Sequence, residues 1–460
     1  MAKGTTVFVC QECGSESPRW AGRCSVCGAW NTLVEEKIPE FNEKDKRRRT
    51  GTVKEGRAAG KPEKLKDVNA QTFTRMKTGI DELDRVLGGG IVRGSLTLIS
   101  GEPGIGKSTI IIQAANEIAA KEGPVLYVSG EESEDQIKMR ADRVCQDMSD
   151  DLLVLSETNM ENISAVSEQM DFKFIVIDSI QTMYSDELDS APGSVSQVRT
   201  CGNELMRIGK GRNIPIFIVA HVTKSGDLAG PKIVEHLVDC VLQFNGERSQ
   251  DLRILRASKN RFGTTSEIGA FEMTEKGLES IQNLSRSFLD GMEENTEGSV
   301  AAAVYEGTRP LLIEIQALTA STNVGFARRT SLGVDAKRLN MIIAVLERKA
   351  GLDLVNKDVY VNVVGGLRPE GTSTDLAAAI AIHSAALGRP VKGRTLAIGE
   401  IGLTGELRPV QNTDRMVSEA ARMGFDRVIL PASGKDRIKG DPDGVKLIRA
   451  RNISEAIKVY

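Results

Sequence analysis

The feature that most constrains the fold is a nine-residue stretch, Gly101-Glu102-Pro103-Gly104-Ile105-Gly106-Lys107-Ser108-Thr109. It sits between an apolar segment, Ser95–Ser100, and a helical run, Ile110–Ala120. Glycines at 101, 104 and 106 let backbone N–H groups converge on bound phosphates where a Cβ would obstruct them. Lys107 is placed to neutralise β- and γ-phosphate oxygens, and the Ser108 hydroxyl to ligate Mg²⁺. Such a loop works where a buried strand delivers it to a helix N-terminus. It therefore predicts an α/β core that binds ATP and Mg²⁺ at the carboxyl edge of a parallel-rich sheet.

The surrounding pattern agrees. Short apolar segments (Val125–Ser129, Phe174–Asp178, Ile214–Ala220 and Cys240–Phe244) alternate with helical stretches between Thr78 and about Glu279. Continuous apolar strands separated by helices imply a sheet covered on both faces. Phe174-Ile175-Val176-Ile177-Asp178 reads as a second magnesium strand, with Asp178 holding the ion through water. Val125–Ser129 runs into Gly130-Glu131-Glu132-Ser133, which brings two carboxylates to the ligand edge. Glu131 is the favoured general base and Glu132 the reserve, with capping of the next helix as the competing role. His221, at the end of Ile214–Ala220, is a candidate sensor of the γ-phosphate. The polar segment Thr223–Pro231 follows it. Thr223, Lys224 and the adjoining Lys232 are candidate DNA contacts.

At 460 residues the chain exceeds one ordinary core. The expected organisation is a cysteine-bearing unit over 1–34, a charged linker over 35–70, an ATPase domain over 71–285 and a last domain over 290–460. Residues 44–49, Lys-Asp-Lys-Arg-Arg-Arg, suit a solvated tether. A net charge of −3 excludes a uniformly basic nucleic-acid coat but not a local basic channel. No apolar run is long enough to span a bilayer and no secretory h-region is evident, so a cytoplasmic protein without membrane contact is expected.

Cys10-x₂-Cys13 and Cys24-x₂-Cys27 are separated by ten residues, and each pair is followed by a glycine. Two such knuckles supply four thiolates to one tetrahedral ion, which suits structural Zn²⁺ and leaves no open position. A reactive dithiol or an iron site is the competing reading. Trp20 and Trp30, the only two tryptophans, are expected to pack on the knuckles.

Thr78-Gly79-Ile80-Asp81-Glu82-Leu83-Asp84, running into Leu87-Gly88-Gly89-Gly90, resembles the lead-in of RecA- and KaiC-type ATPases. Lys259-Asn260-Arg261-Phe262-Gly263 matches the signature pentapeptide of the bacterial RadA (Sms) family of DNA-repair proteins. With the four-cysteine unit in front, the resemblance covers nearly the whole chain. It implies a homohexamer that translocates on single-stranded DNA and drives branch migration of recombination intermediates with the RecA recombinase. In such rings ATP lies between subunits, so Lys259 and Arg261 would reach a neighbour's nucleotide. The alternative for these two cations is a DNA-contacting turn.

From Gly298 onward the chain resembles the α+β proteolytic domain of Lon. Ser373, in Gly371-Thr372-Ser373-Thr374-Asp375, stands where Lon carries its nucleophile, but Asp414 falls at the position of Lon's lysine base. A serine without a neutral amine beside it is not activated. An ATP-dependent serine protease is therefore the lesser alternative, and Ser373 is expected to satisfy free N–H groups at a helix start. Arg328, Arg329, Lys337 and Arg338 are candidate DNA contacts of this domain.

Overall fold

The computed structural model describes residues 5–10, 15–38, 75–221, 232–246, 251–281, 283–322, 327–369, 371–433 and 444–460. Cys13, Thr223 and Lys224 lie outside the described residues, as does most of the expected linker. Two compact units divide the chain, Met1–Ser280 and Ile281–Tyr460.

The first unit begins with a three-stranded antiparallel sheet, β1 (Thr5–Cys10), β2 (Glu16–Ser17) and β3 (Leu33–Ile38), in the order β2-β1-β3. Among the described residues its core is Cys10, Cys24 and Leu33 with Phe8 against them. The expectation for the tryptophans is corrected here. Trp20 and Trp30 are 59% and 70% exposed, and the Arg23 guanidinium lies over the Trp30 ring at 5.7 Å.

The main sheet has nine strands. They are β4 (Leu96–Gly101), β5 (Val125–Ser129), β6 (Leu152–Ser156), β7 (Phe174–Asp178), β8 (Ile216–His221), β9 (Cys240–Asn245), β10 (Leu252–Asn260), β11 (Ile268–Thr274) and β12 (Gly277–Ser280). Their order is β12-β11-β10-β9-β4-β8-β7-β5-β6. From β9 to β6 every pairing is parallel, while β9 to β12 pair antiparallel. Every residue of β4, β5 and β7 is buried, which is why these strands read as mostly apolar runs. Helices α1 (Asp81–Val86), α2 (Lys107–Glu122), α3 (Glu134–Val144), α4 (Met160–Gln169), α5 (Val195–Arg212) and α6 (Lys232–Leu237) are interleaved with them. One face packs a cluster around Ile110, Ala114, Tyr127, Phe174 and Phe217; the other packs one around Leu98, Ile175, Val198 and Ile218.

The second unit is a mixed sheet in the order β15-β16-β14-β13-β17-β20-β21 with a small β18-β19 ribbon. Its elements are α7 (Leu284–Phe288), β13 (Ser299–Glu306), β14 (Arg309–Ser321), β15 (Arg329–Leu332), α8 (Ala336–Ala350), β16 (Lys357–Val363), α9 (Asp375–Leu387), β17 (Thr395–Ala397), β18 (Glu400–Ile401), β19 (Leu407–Arg408), α10 (Thr413–Arg422), β20 (Arg427–Pro431), β21 (Lys446–Ala450) and α11 (Ile453–Val459). Residues Asp375 to Ser384 of α9 are all buried, so this alanine-rich helix lies inside the unit rather than on it. Among the described residues, no helix is long and apolar enough to cross a membrane.

Candidate nucleotide site

Parallel pairing brings the carboxyl ends of four strands to one edge. In the register Gly101 faces His221 and Ser129 faces Asp178. The glycine-rich loop leaves β4 there and enters α2 at Gly106, whose φ of 114° is the left-handed region that a side chain resists. A Cβ at Gly106 would also lie 2.8 Å from Leu278 Cδ1 and Met273 Cε. Lys107 follows and is 4% exposed. Its ammonium donates to the Gly101 and Glu102 carbonyl oxygens at 2.8 and 2.9 Å. Burial lowers its pKa to about 8, with Asp178 and Glu131 pulling back towards the charged form. Pro103, Gly104, Gly106, Lys107, Ser108 and Thr109 line one wall of a pocket of about 430 Å³.

The facing wall carries Glu131, Glu132, Asp178 and His221, so the residues read from sequence meet in one cavity. The two glutamates differ in their partners. Glu131 Oε1 accepts from Ser179 Oγ at 2.6 Å and lies 3.6 Å from His221 Nε2. Glu132 is paired with Arg140 of α3. His221 is held at its carbonyl by Gln181 Nε2 at 3.1 Å. Burial and the Lys107 charge push its pKa below the ordinary histidine value, against the pull of Glu131 and Asp178. Asp178 Oδ2 accepts from the hydroxyl of Tyr127 at 2.7 Å. Burial, and then the Asp178 charge, raise that tyrosine well above the usual phenol range. Ser108 and Asp178, both in the lining, are oxygen donors of the kind Mg²⁺ takes, and the cavity has room for phosphates.

Tyr127, Ser179, Arg140, Arg143 and Arg253 were not read from sequence, and the last three line the pocket. Tyr127 is hidden inside an apolar run. The arginines carry no local motif, and only the fold brings them to the loop.

The pentapeptide Lys259–Gly263 ends β10 outside this pocket's lining. Lys259 Nζ donates to the Glu235 carbonyl of α6 at 2.7 Å. Arg261 Nη1 lies 3.3 Å from Asp239 Oδ1, and its guanidinium is 58% exposed. Asp239 is buried and also accepts from Leu96 N and Lys210 Nζ. Phe262 and Gly263 pack on the glycine turn of the lead-in: Arg75 donates to the Leu87 and Phe262 carbonyls, and a Cβ on Gly263 would meet Gly88 Cα at 3.3 Å. Two motifs far apart in sequence thus form one surface.

In the cysteine unit, the Sγ atoms of Cys10, Cys24 and Cys27 lie within 4.8 Å of one another. Cys10 Sγ to Cys27 Sγ is 3.6 Å, close to the roughly 3.8 Å edge of a tetrahedron with thiolates at about 2.3 Å from zinc. Val26 N donates to Cys24 Sγ at 3.4 Å, the N–H···S contact of a metal knuckle. Three thiols clustered on so small a core fit a metal site.

The domains match family models in the same order. One described as a rubredoxin metal binding domain matches residues 8–35, an AAA domain matches 60–227, and subunit ChlI of Mg-chelatase matches 316–434. The DNA repair protein RadA of Bacillus subtilis is 47% identical over 458 residues, spanning 100% of this chain and 99% of that protein. The DNA repair protein RadA of Listeria monocytogenes is 45% identical over 460 residues, spanning 99% and 98%. The chain belongs to the RadA family of DNA repair proteins. Of solved structures, the KaiC-like protein PH0186 of Pyrococcus horikoshii matches with TM-score 0.38 and 20% identity, over 45% of this chain and 98% of that one. That score is too low to add weight to the family assignment.

RadA membership makes the nucleotide pocket that of a RecA-like ATPase and the second unit Lon-like. In that unit Ser373 lines a cavity of about 480 Å³ with Thr372, Glu400, Gln411 and Asn412, and no lysine is among the lining residues described. The expected capping role of Ser373 is corrected: the N-cap of α9 is Thr374, and no side chain caps it. Arg338 is also corrected. It is held by the buried Asp375 carboxylate and donates to the Ile401 carbonyl at 2.9 Å, so its charge is used inside the fold. Arg329 likewise donates to the Leu354 carbonyl at 2.8 Å.

Proposed function

We propose that the chain is a DNA-dependent ATPase working as a hexameric motor, translocating on single-stranded DNA and driving branch migration in recombinational repair beside the RecA recombinase. The observation that carries this is the pairing of an ATP pocket with a basic pentapeptide that lies outside its lining. Cations outside their own chain's pocket suit a ring with shared sites, in which Lys259 and Arg261 would reach a neighbour's nucleotide.

In this reading Gly101 to Thr109 wrap the triphosphate and Lys107 holds the β- and γ-oxygens. Ser108, directly, and Asp178, through water, would hold Mg²⁺, which would supply screening of the charge on the phosphoryl group. Glu131 orients and deprotonates the attacking water, because Glu132 is committed to Arg140. His221 reads the γ-phosphate through Glu131 and passes the signal to Thr223, Lys224 and Lys232 on DNA. Arg261 and Lys259 of the next subunit complete the site. Cys10, Cys13, Cys24 and Cys27 hold zinc. The domains run 1–34, 35–70, 71–285 and 290–460, and the protein acts in the cytoplasm. The lysine-free lining around Ser373 supports a Lon-like domain that does not cleave peptides.

The test is ATP turnover and branch migration by a verified oligomer with and without single-stranded DNA. Stimulation of turnover by DNA is expected; turnover indifferent to DNA would sink the motor reading.

A further inference from the structure

Tyr127 sits in the middle of β5 and is 0% exposed. Its ring packs among the aliphatic residues between the sheet and α2, in the cluster that holds Val176, Ile110 and Phe174. A buried tyrosine places a polar atom where Phe would suffice, so its hydroxyl needs a partner. The partner is one residue, Asp178. In the parallel register Tyr127 faces Val176 and Ser129 faces Asp178. The ring must therefore lean along the strand towards the carboxyl edge, where its Oη lies 2.7 Å from Asp178 Oδ2. Asp178 is itself 8% exposed and lines the nucleotide pocket. One carboxylate oxygen is thus engaged from behind by the core, and the carboxylate's other side faces the cavity.

We propose that Tyr127 is the positioning residue of the magnesium site, fixing the Asp178 carboxylate so that it meets the ion's water shell in a single orientation. This rests on the reading of Asp178 as the magnesium residue. An ionised carboxylate is a pure acceptor and rotates freely about its last torsion unless a donor holds it. A donor fixes that torsion; losing one behind a direct metal ligand costs about 10- to 100-fold in affinity or activity, and behind a carboxylate that acts through water the effect falls at the low end of that range. The loop residues have no part in this device, so Tyr127 acts on the metal and not on the nucleotide as such.

The test uses full-length protein, titrating Mg²⁺ against a fluorescent ATP analogue, with affinity for the analogue also measured in excess chelator. Tyr127→Phe keeps the ring and removes only the hydroxyl. The expected result is an Mg²⁺ half-saturation raised several-fold, up to about 10-fold, with unchanged affinity for metal-free analogue. An unchanged Mg²⁺ curve would overturn the proposal. So would an equal loss of both affinities, which is what a merely structural tyrosine would give. As a second variant, 3-fluorotyrosine at position 127 keeps both ring and donor and should leave the Mg²⁺ curve near that of the parent; a loss matching that of Tyr127→Phe would also overturn it. Asp178→Asn separates the two claims. If that change leaves Mg²⁺ dependence intact, the magnesium role of Asp178 fails; if it abolishes it while Tyr127→Phe changes nothing, only the positioning role fails.

Discussion

Glu131 and Glu132 are adjacent carboxylates just past the end of β5, and the sequence favoured the first without deciding between them. Their partners separate them: Ser179 and His221 surround the first, Arg140 claims the second. The same holds for His221, whose place at the strand end was legible while its electrostatics were not. Burial and Lys107 hold its pKa below 6.5. The unfolded chain therefore binds a proton more readily, and stability rises with pH across the window from the lowered value up to 6.5. His383 is depressed by burial in the same sense and shares that window. His221→Gln should flatten part of the slope in thermal melts just below pH 6.5; a slope unchanged in that variant would contradict the assignment.

Elements differed in how openly they showed themselves. The strands β4, β5, β7, β8 and β9 were legible because burial on both faces leaves a mostly apolar run. The extension β10 to β12 was not. In β10 the inward row is Arg253, Leu255 and Ala257, while Leu252 and Ile254 are only half-buried, so the apolar pattern points to the wrong face. Arg338 on α8 misled for a related reason: a basic residue near a helix start looks exposed until its partner, 37 residues away, is known. Breaking that pair leaves the Asp375 carboxylate buried without its cation. Arg338→Ala should lower the unfolding free energy of the second unit by about 3 kcal/mol, whereas a surface arginine would cost almost nothing. Denaturant melts of the full chain distinguish the two.

At the scale of the molecule, the order of units was readable from composition and motif, because each carries its own local signature. Among its described residues the cysteine unit has a small hydrophobic core, which fits a unit stabilised by metal. Cys27→Ser should therefore release zinc, measured by a chromophoric chelator, and leave ATP turnover without DNA within about two-fold of the parent, as expected when distant sites are independent. A variant that keeps its full zinc would contradict the ligand set. What motifs could not supply was the partnership between Lys259–Gly263 and the lead-in glycines, since that surface exists only after β10 and the α1 turn are folded together.

The central claim is that each ATP is hydrolysed by two subunits, one giving the loop and the other Arg261. Lys107→Ala subunits keep an intact Arg261, and Arg261→Ala subunits keep an intact loop. Each alone should be inactive in ATP hydrolysis on single-stranded DNA. Mixed and reassembled, they should regain turnover well above the sum of the two; mixtures that stay as inactive as their parts would contradict a site shared between subunits.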